Sequence, residues 1–61
     1  MRFWVARDKY GSLYFYDNIP VKRETYFQPQ RGYDIMKLDD RFFPEITFNN
    51  SPQEVELKLI K

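Results

Sequence analysis

The sequence predicts a small all-β domain spanning residues 1–61: an antiparallel meander or barrel-like sheet of about five short strands, with one helical turn near residues 39–43. Three observations carry that expectation. Short runs rich in Phe, Tyr, Val and Ile alternate along the chain, and turn-forming clusters separate them at the spacing of small β folds. Aromatic residues also make up 20% of the chain, supplying large rings where a chain of 61 residues has no cysteine to crosslink it.

The first two strands are the clearest. Phe3, Val5 and Arg7 alternate with Trp4 and Ala6, and Leu13 and Phe15 alternate with Tyr14 and Tyr16. Between them, Asp8-Lys9-Tyr10-Gly11 suits a type I turn followed by a left-handed glycine, so that the loop ends in a bulge. Such a turn sets Asp8 opposite Ser12, Ala6 opposite Tyr14, Val5 opposite Phe15 and Trp4 opposite Tyr16. One face of the hairpin then carries Phe3, Val5, Leu13 and Phe15; the other carries Trp4, Ala6, Tyr14 and Tyr16. Neither face is polar.

Asp17-Asn18-Ile19-Pro20 reads as a turn, Val21 to Gln28 as a strand and Pro29-Gln30-Arg31-Gly32 as the next turn. Tyr33 to Leu38 follows as a strand. Asp39 caps a single helical turn through Phe43, which Pro44 ends. Glu45 to Phe48 is strand-like, and Asn49-Asn50-Ser51-Pro52 is a turn. The last segment carries two signals. Ser51-Pro52-Gln53-Glu54 matches a helix start, whereas Val55, Leu57 and Leu59 alternate with Glu54, Glu56 and Lys58 at strand period. The strand is the preferred reading, because a helix would leave Leu57 facing away from Val55 and Leu59.

Composition narrows the function. With no His and no Cys, serine triads, cysteine nucleophiles and ordinary zinc centres are excluded. Asp39, Asp40, Glu45 and Asp34 are the remaining candidates for a cation site, but they lack the spacing of a calcium loop and read instead as capping and solvated carboxylates. A two-carboxylate hydrolase needs a concave pocket that a chain of this size scarcely encloses. The expectation is therefore a non-enzyme with no cofactor and no metal. Net charge is +1, with six Lys/Arg against three Asp/Glu in residues 1–31 and four against six in residues 32–61. Neither half is a polybasic tail of the kind that binds phosphate backbones without specificity. No apolar run has the length of a signal-peptide core or a membrane span, and the lack of cysteine fits a reducing compartment; the reading is a soluble, cytoplasmic protein with no membrane partner.

Trp4, Tyr14 and Tyr16, with Arg7 alongside, form the candidate binding site. Interfaces favour Trp, Tyr and Arg, and an aromatic sheet face suits docking on another protein or on a second copy of the chain. The same rings, with Arg2 and Arg7, suit stacking against single-stranded nucleic acid, which is the alternative reading. Arg31-Gly32-Tyr33-Asp34-Ile35-Met36-Lys37-Leu38 begins like an RNA-recognition signature. It departs from it at Asp34, and Ile35 and Leu38 stand where stacking aromatics belong.

Several stretches also carry a resemblance. They are Trp4-Val5-Ala6-Arg7-Asp8, Gly11-Ser12-Leu13-Tyr14, Pro20-Val21-Lys22-Arg23, Leu38-Asp39, Phe43-Pro44-Glu45-Ile46-Thr47-Phe48, Ser51-Pro52 and Glu54-Val55-Glu56-Leu57. Together they resemble a group of short bacterial and phage-type proteins that open W-V-A-R-D-x-x-G-x-L and end F-P-E-V-x-[WF] … P-x-E-V-E-L. The likeness covers most of the chain and weakens between residues 22 and 34. It implies a single-domain accessory protein of phage or mobile-element type that modulates a host factor, and it brings no activity, cofactor or catalytic residue.

Overall fold

The computed structural model describes residues 2–56 and 58–60. Its six strands are β1 (Arg2–Arg7), β2 (Leu13–Tyr16), β3 (Val21–Lys22), β4 (Phe27–Gln28), β5 (Ile35–Leu38) and β6 (Gln53–Glu56). Four form one antiparallel sheet in the order β5-β2-β1-β6, and β3 and β4 form a separate hairpin. The all-β class is as expected. The sheet stays open, however, and β1 lies between β2 and β6 where a simple meander would have kept sequence order. Among the described residues there is no helix, and so none long and apolar enough to cross a membrane.

The first hairpin adopts the expected register, with Trp4 opposite Tyr16, Val5 opposite Phe15, Ala6 opposite Tyr14 and Arg7 opposite Leu13. Its turn explains why. Asp8 Oδ1 accepts from the backbone N–H groups of Tyr10 (2.9 Å) and Ser12 (3.0 Å), and the Gly11 N–H closes the turn on the Asp8 carbonyl at 3.2 Å. Gly11 sits at φ +100°, where a β-carbon would be strained. The charged centre of the hairpin therefore serves its geometry.

Pairing continues the two faces across the sheet. Val55 lies opposite Phe3 and Gln53 opposite Val5, while Met36 lies opposite Phe15 and Leu38 opposite Leu13. Paired residues share a face, so Phe3, Val5, Leu13, Phe15, Met36, Leu38 and Val55 occupy one side of the sheet. Ile46 covers Val5 and Leu13 there, with Phe15, Leu38 and Val55 packed at the margin of that cluster. On the other side Phe27 packs on Ala6 and Tyr16, and Trp4, Tyr14 and Phe48 close around them. A sheet with two apolar faces has thus acquired a cover on each side.

Different devices hold the two covers. The β3–β4 hairpin turns through Arg23 to Tyr26, whose backbone bond is 2.8 Å, and its tip accepts from the Lys9 N–H at Thr25 (2.9 Å). Lys22 Nζ donates to the Phe48 carbonyl at 3.0 Å and lies 4.4 Å from the centre of the Phe48 ring. The opposite cover depends on Arg7. Its guanidinium donates to the carbonyls of Ile46 (2.6 Å), Gly11 (2.7 Å), Phe42 (2.8 Å), Asp40 (3.0 Å) and Phe43 (3.2 Å). Beyond it, Ser51 Oγ accepts from the Arg7 N–H at 3.0 Å and donates to the Thr47 carbonyl, so a side chain takes over where the β1–β6 ladder ends.

Four segments follow the sequence reading only in part or not at all. Val21 to Gln28 is not one strand, because the polar Arg23-Glu24-Thr25 stretch turns and sends Phe27 back over Tyr16. The helical turn at 39–43 is a single hydrogen-bonded turn, with the Phe42 N–H on the Asp39 carbonyl at 3.0 Å and Asp39 Oδ1 capping the Arg41 N–H at 2.9 Å. Phe43, at φ +48°, takes the chain out of any helical path. Glu45 to Phe48 forms no strand. The Ile46 N–H closes a turn on Phe43 at 2.9 Å, and the Ile46 carbonyl is turned to Arg7. At the far end the strand reading holds for Gln53–Glu56, residues 58–60 are not in a strand, and Leu57 lies outside the described residues.

Two substitutions test these contacts. Lysine replaces a planar fork of donors by one ammonium, so Arg7→Lys is expected to lower stability by about 2 kcal/mol and to speed amide exchange at Phe42 and Ile46. Unchanged exchange at those two amides would contradict the role given to Arg7. Gly11→Ala meets no atom within 4 Å, so its cost is conformational alone, about 1 kcal/mol in denaturant titration. A stabilised Gly11→Ala variant would show that the left-handed turn is not the one adopted in solution.

Candidate interaction surface

Trp4, Tyr14 and Tyr16 do come together on one face, whereas Arg7, expected alongside them, lies on the opposite face and holds the loop that carries Ile46. Tyr16 is 1% exposed and its hydroxyl donates to the Phe27 carbonyl at 3.2 Å. That carbonyl points away from the β3–β4 ladder, in which Arg23 and Tyr26 are the bonded pair, so Tyr16 satisfies it from beneath. Trp4 and Tyr14 are half-buried around the same cluster, with the Tyr14 and Tyr16 ring centres 6.5 Å apart. Arg7 is half-buried and its donors face the backbone of the loop it holds. Of the four, only Trp4 and Tyr14 keep partly accessible surface on that face.

The carboxylates considered for a cation are separately engaged. Asp39 forms an ion pair with Arg41 at 2.8 Å, and Asp40 pairs with Lys37. The Arg41 guanidinium holds the Asp39 carboxyl below the usual carboxylate range, and the Lys37 ammonium does the same for Asp40. Among the described residues, no group of three acidic side chains is placed to hold a metal ion.

An open apolar surface lies elsewhere, at the other end of the face that Ile46 only half covers. Phe3 and Phe15 stack there with ring centres 4.7 Å apart, and Met36 beside them is 55% exposed. A shallow depression of about 190 Å³ is lined by Phe15, Asp17, Asp34, Ile35 and Met36. Asp17 and Asp34 extend the β2–β5 pairing: the Asp34 N–H donates to Asp17 Oδ1 at 2.9 Å, and the Asp17 N–H reaches the Asp34 carbonyl at 3.5 Å. Neither carboxylate has a cationic side chain within ion-pair distance among the described residues.

The depression borders an unpaired strand edge. In the β1–β2 ladder the bonded pair Asp8 and Ser12 fixes Tyr14 and Tyr16 as the residues whose backbone faces β1. Leu13, Phe15 and Asp17 therefore face β5 and bond to Leu38, Met36 and Asp34, which leaves the N–H and C=O of Ile35 and Lys37 pointing outward. The opposite edge differs. There Glu54 and Glu56 point their backbone groups outward, their side chains are charged, and Pro52 precedes the strand. The sequence does contain the signal for this asymmetry: Ile35-Met36-Lys37-Leu38 has one charge in four residues and Gln53-Glu54-Val55-Glu56 has two. What it does not contain is the strand order that makes both strands edges.

No family model, no curated protein and no solved structure matches the chain.

The buried tyrosine gives this description a pH signature. Burial, reinforced by the neighbouring Tyr14 and Asp8, pushes the Tyr16 hydroxyl up from 10.0 to about 12. A folded-state value above the unfolded one means that the stabilisation is complete below pH 10 and is lost as pH rises towards 12. Tyr16→Phe is expected to cost about 1 kcal/mol at neutral pH through the lost hydrogen bond, with that deficit shrinking between pH 10 and pH 12. Denaturant titrations of both proteins at the two extremes measure it, and a deficit independent of pH would contradict a buried, neutral Tyr16.

Proposed function

We propose that the chain is a non-catalytic binding domain that takes an extended segment of another protein along the β5 edge. The observation that carries this reading is the coincidence of two unsatisfied features: outward backbone groups on Ile35 and Lys37, and the apolar depression of Phe15, Ile35 and Met36 beside them. An added strand supplies the missing ladder partners, and its alternate side chains fall into the depression. An exposed Met suits such a surface, since its flexible thioether adapts to varied side chains. The aromatic face that first suggested binding contributes less, because its central ring, Tyr16, is covered by Phe27. Stacking of single-stranded nucleic acid on Trp4, Tyr14 and Tyr16 loses the same ring.

Selection from a displayed library of peptides against the immobilised domain tests the reading. Enriched peptides are expected to bind the native protein and to lose about tenfold or more in affinity to Met36→Lys, which places a charge on the apolar floor while substituting a side chain that is already 55% exposed. A library that yields no enrichment, or peptides indifferent to Met36→Lys, removes the proposal.

A further inference from the structure

The geometry of the β5 edge also points to what kind of segment it takes, and this inference rests on the binding-domain reading above. We infer that the partner is an extended segment running antiparallel to β5, with apolar side chains two residues apart followed, two residues later, by a lysine or arginine.

The order follows from the register. Only Ile35 and Lys37 offer outward N–H and C=O groups on β5, so an added antiparallel strand places its bonded residues opposite those two. The residues between and beside them then lie opposite Leu38, Met36 and Asp34, on the face that carries the depression. Opposite Leu38 and Met36 the neighbouring surface is apolar: Leu38 packs against the Val5, Leu13 and Ile46 cluster, and Met36 beside Phe15 is half exposed. Opposite Asp34 it is not. There the Asp34 and Asp17 carboxylates stand at the rim of the depression, and the ion pairs of the described residues leave both without a cation. A long basic side chain suits that position, since its methylene stem lies along Met36 while its head reaches the two acids.

Antiparallel direction fixes the reading frame of the partner: apolar opposite Leu38, then apolar opposite Met36, then basic opposite Asp34, each separated by one residue. The charge at Lys37 works in the same sense. Its ammonium is held by Asp40 and by the Leu38 carbonyl (2.7 Å), so it does not place an uncompensated positive charge beside the incoming cation.

The inference is tested with end-blocked synthetic peptides of the order Leu-Thr-Val-Thr-Lys, with Leu-Thr-Val-Thr-Glu and Lys-Thr-Val-Thr-Leu as controls, titrated into isotope-labelled protein by NMR. The first peptide is expected to shift the amides of Ile35 and Lys37 saturably. The glutamate version binds about fivefold more weakly, and so does the reversed order. In Asp34→Lys protein the preference between the lysine and glutamate peptides inverts, an exchange that a merely unfolded or damaged variant does not produce. Equal affinity for the lysine and glutamate peptides in both proteins overturns the inference, as does an absence of shifts at Ile35 and Lys37. Concentration-dependent broadening of those amides without peptide also overturns it, because a second copy then occupies the edge. Library peptides that depend on Met36 yet carry no basic residue remove this inference and leave the binding-domain reading standing.

Discussion

One guanidinium organises much of this protein. Arg7 stands at the end of the central strand β1, and its donors collect carbonyls from Gly11, Asp40, Phe42, Phe43 and Ile46. Those carbonyls belong to irregular backbone that has no ladder to join, and water would otherwise have to solvate them. By holding them the arginine fixes the path of the chain from Asp40 to Ile46, and that path delivers Ile46 onto Val5 and Leu13. It also ties the end of the first hairpin to the same point through Gly11. A cation at the focus of several carbonyl dipoles is stronger glue than neutral contacts of the same number, because each bond is charge-assisted.

The second constraint is the apolar character of both faces of β1 and β2. A sheet with one wet face needs one cover; this one needs two, and the chain supplies them from opposite directions. The β3–β4 hairpin brings Phe27 and the following segment brings Phe48 to one side, whereas the Arg7-bound loop brings Ile46 to the other. The first side is sealed well enough to bury Tyr16 and give its hydroxyl a single carbonyl partner. The second is sealed at one end only, and Phe3, Phe15 and Met36 border the apolar depression at its other end.

How far the sequence reveals this depends on whether a feature is local. The first hairpin is legible to the residue, since Asp8 and Gly11 specify a turn that in turn specifies the register. Gly32, at φ +88° in the turn closed by the Tyr33 N–H on Gln30, is legible for the same reason. Glu45 to Phe48 is not. Its alternation suggests a strand, but Arg7, about forty positions away along the chain, takes the Ile46 carbonyl, and the Asn50 side chain takes the Glu45 carbonyl and the Thr47 N–H. Arg7 itself resembles a contact residue in a sequence and is an internal clamp in the fold, because no local pattern tells an arginine that meets carbonyls from one that meets a partner. The apolar depression eludes sequence reasoning for a related reason. Asp17 and Asp34 are separated by a whole hairpin and a turn, and only the β2–β5 pairing sets them side by side.

The unlike edges of the main sheet have a consequence for valency. Strand addition to a sheet can propagate without limit when both edges accept a partner, since each new molecule then offers a fresh acceptor. Here the β5 side carries one charge in four residues, while the β6 side presents Glu54 and Glu56 after Pro52. If β5 takes a partner strand as proposed, the main sheet is left with the charged β6 edge alone, so each main sheet would take one segment and growth would stop there. On that proposal the two glutamates would set a receptor apart from a fibre-forming unit, a distinction that two strands of equal length, four residues each, would otherwise leave open.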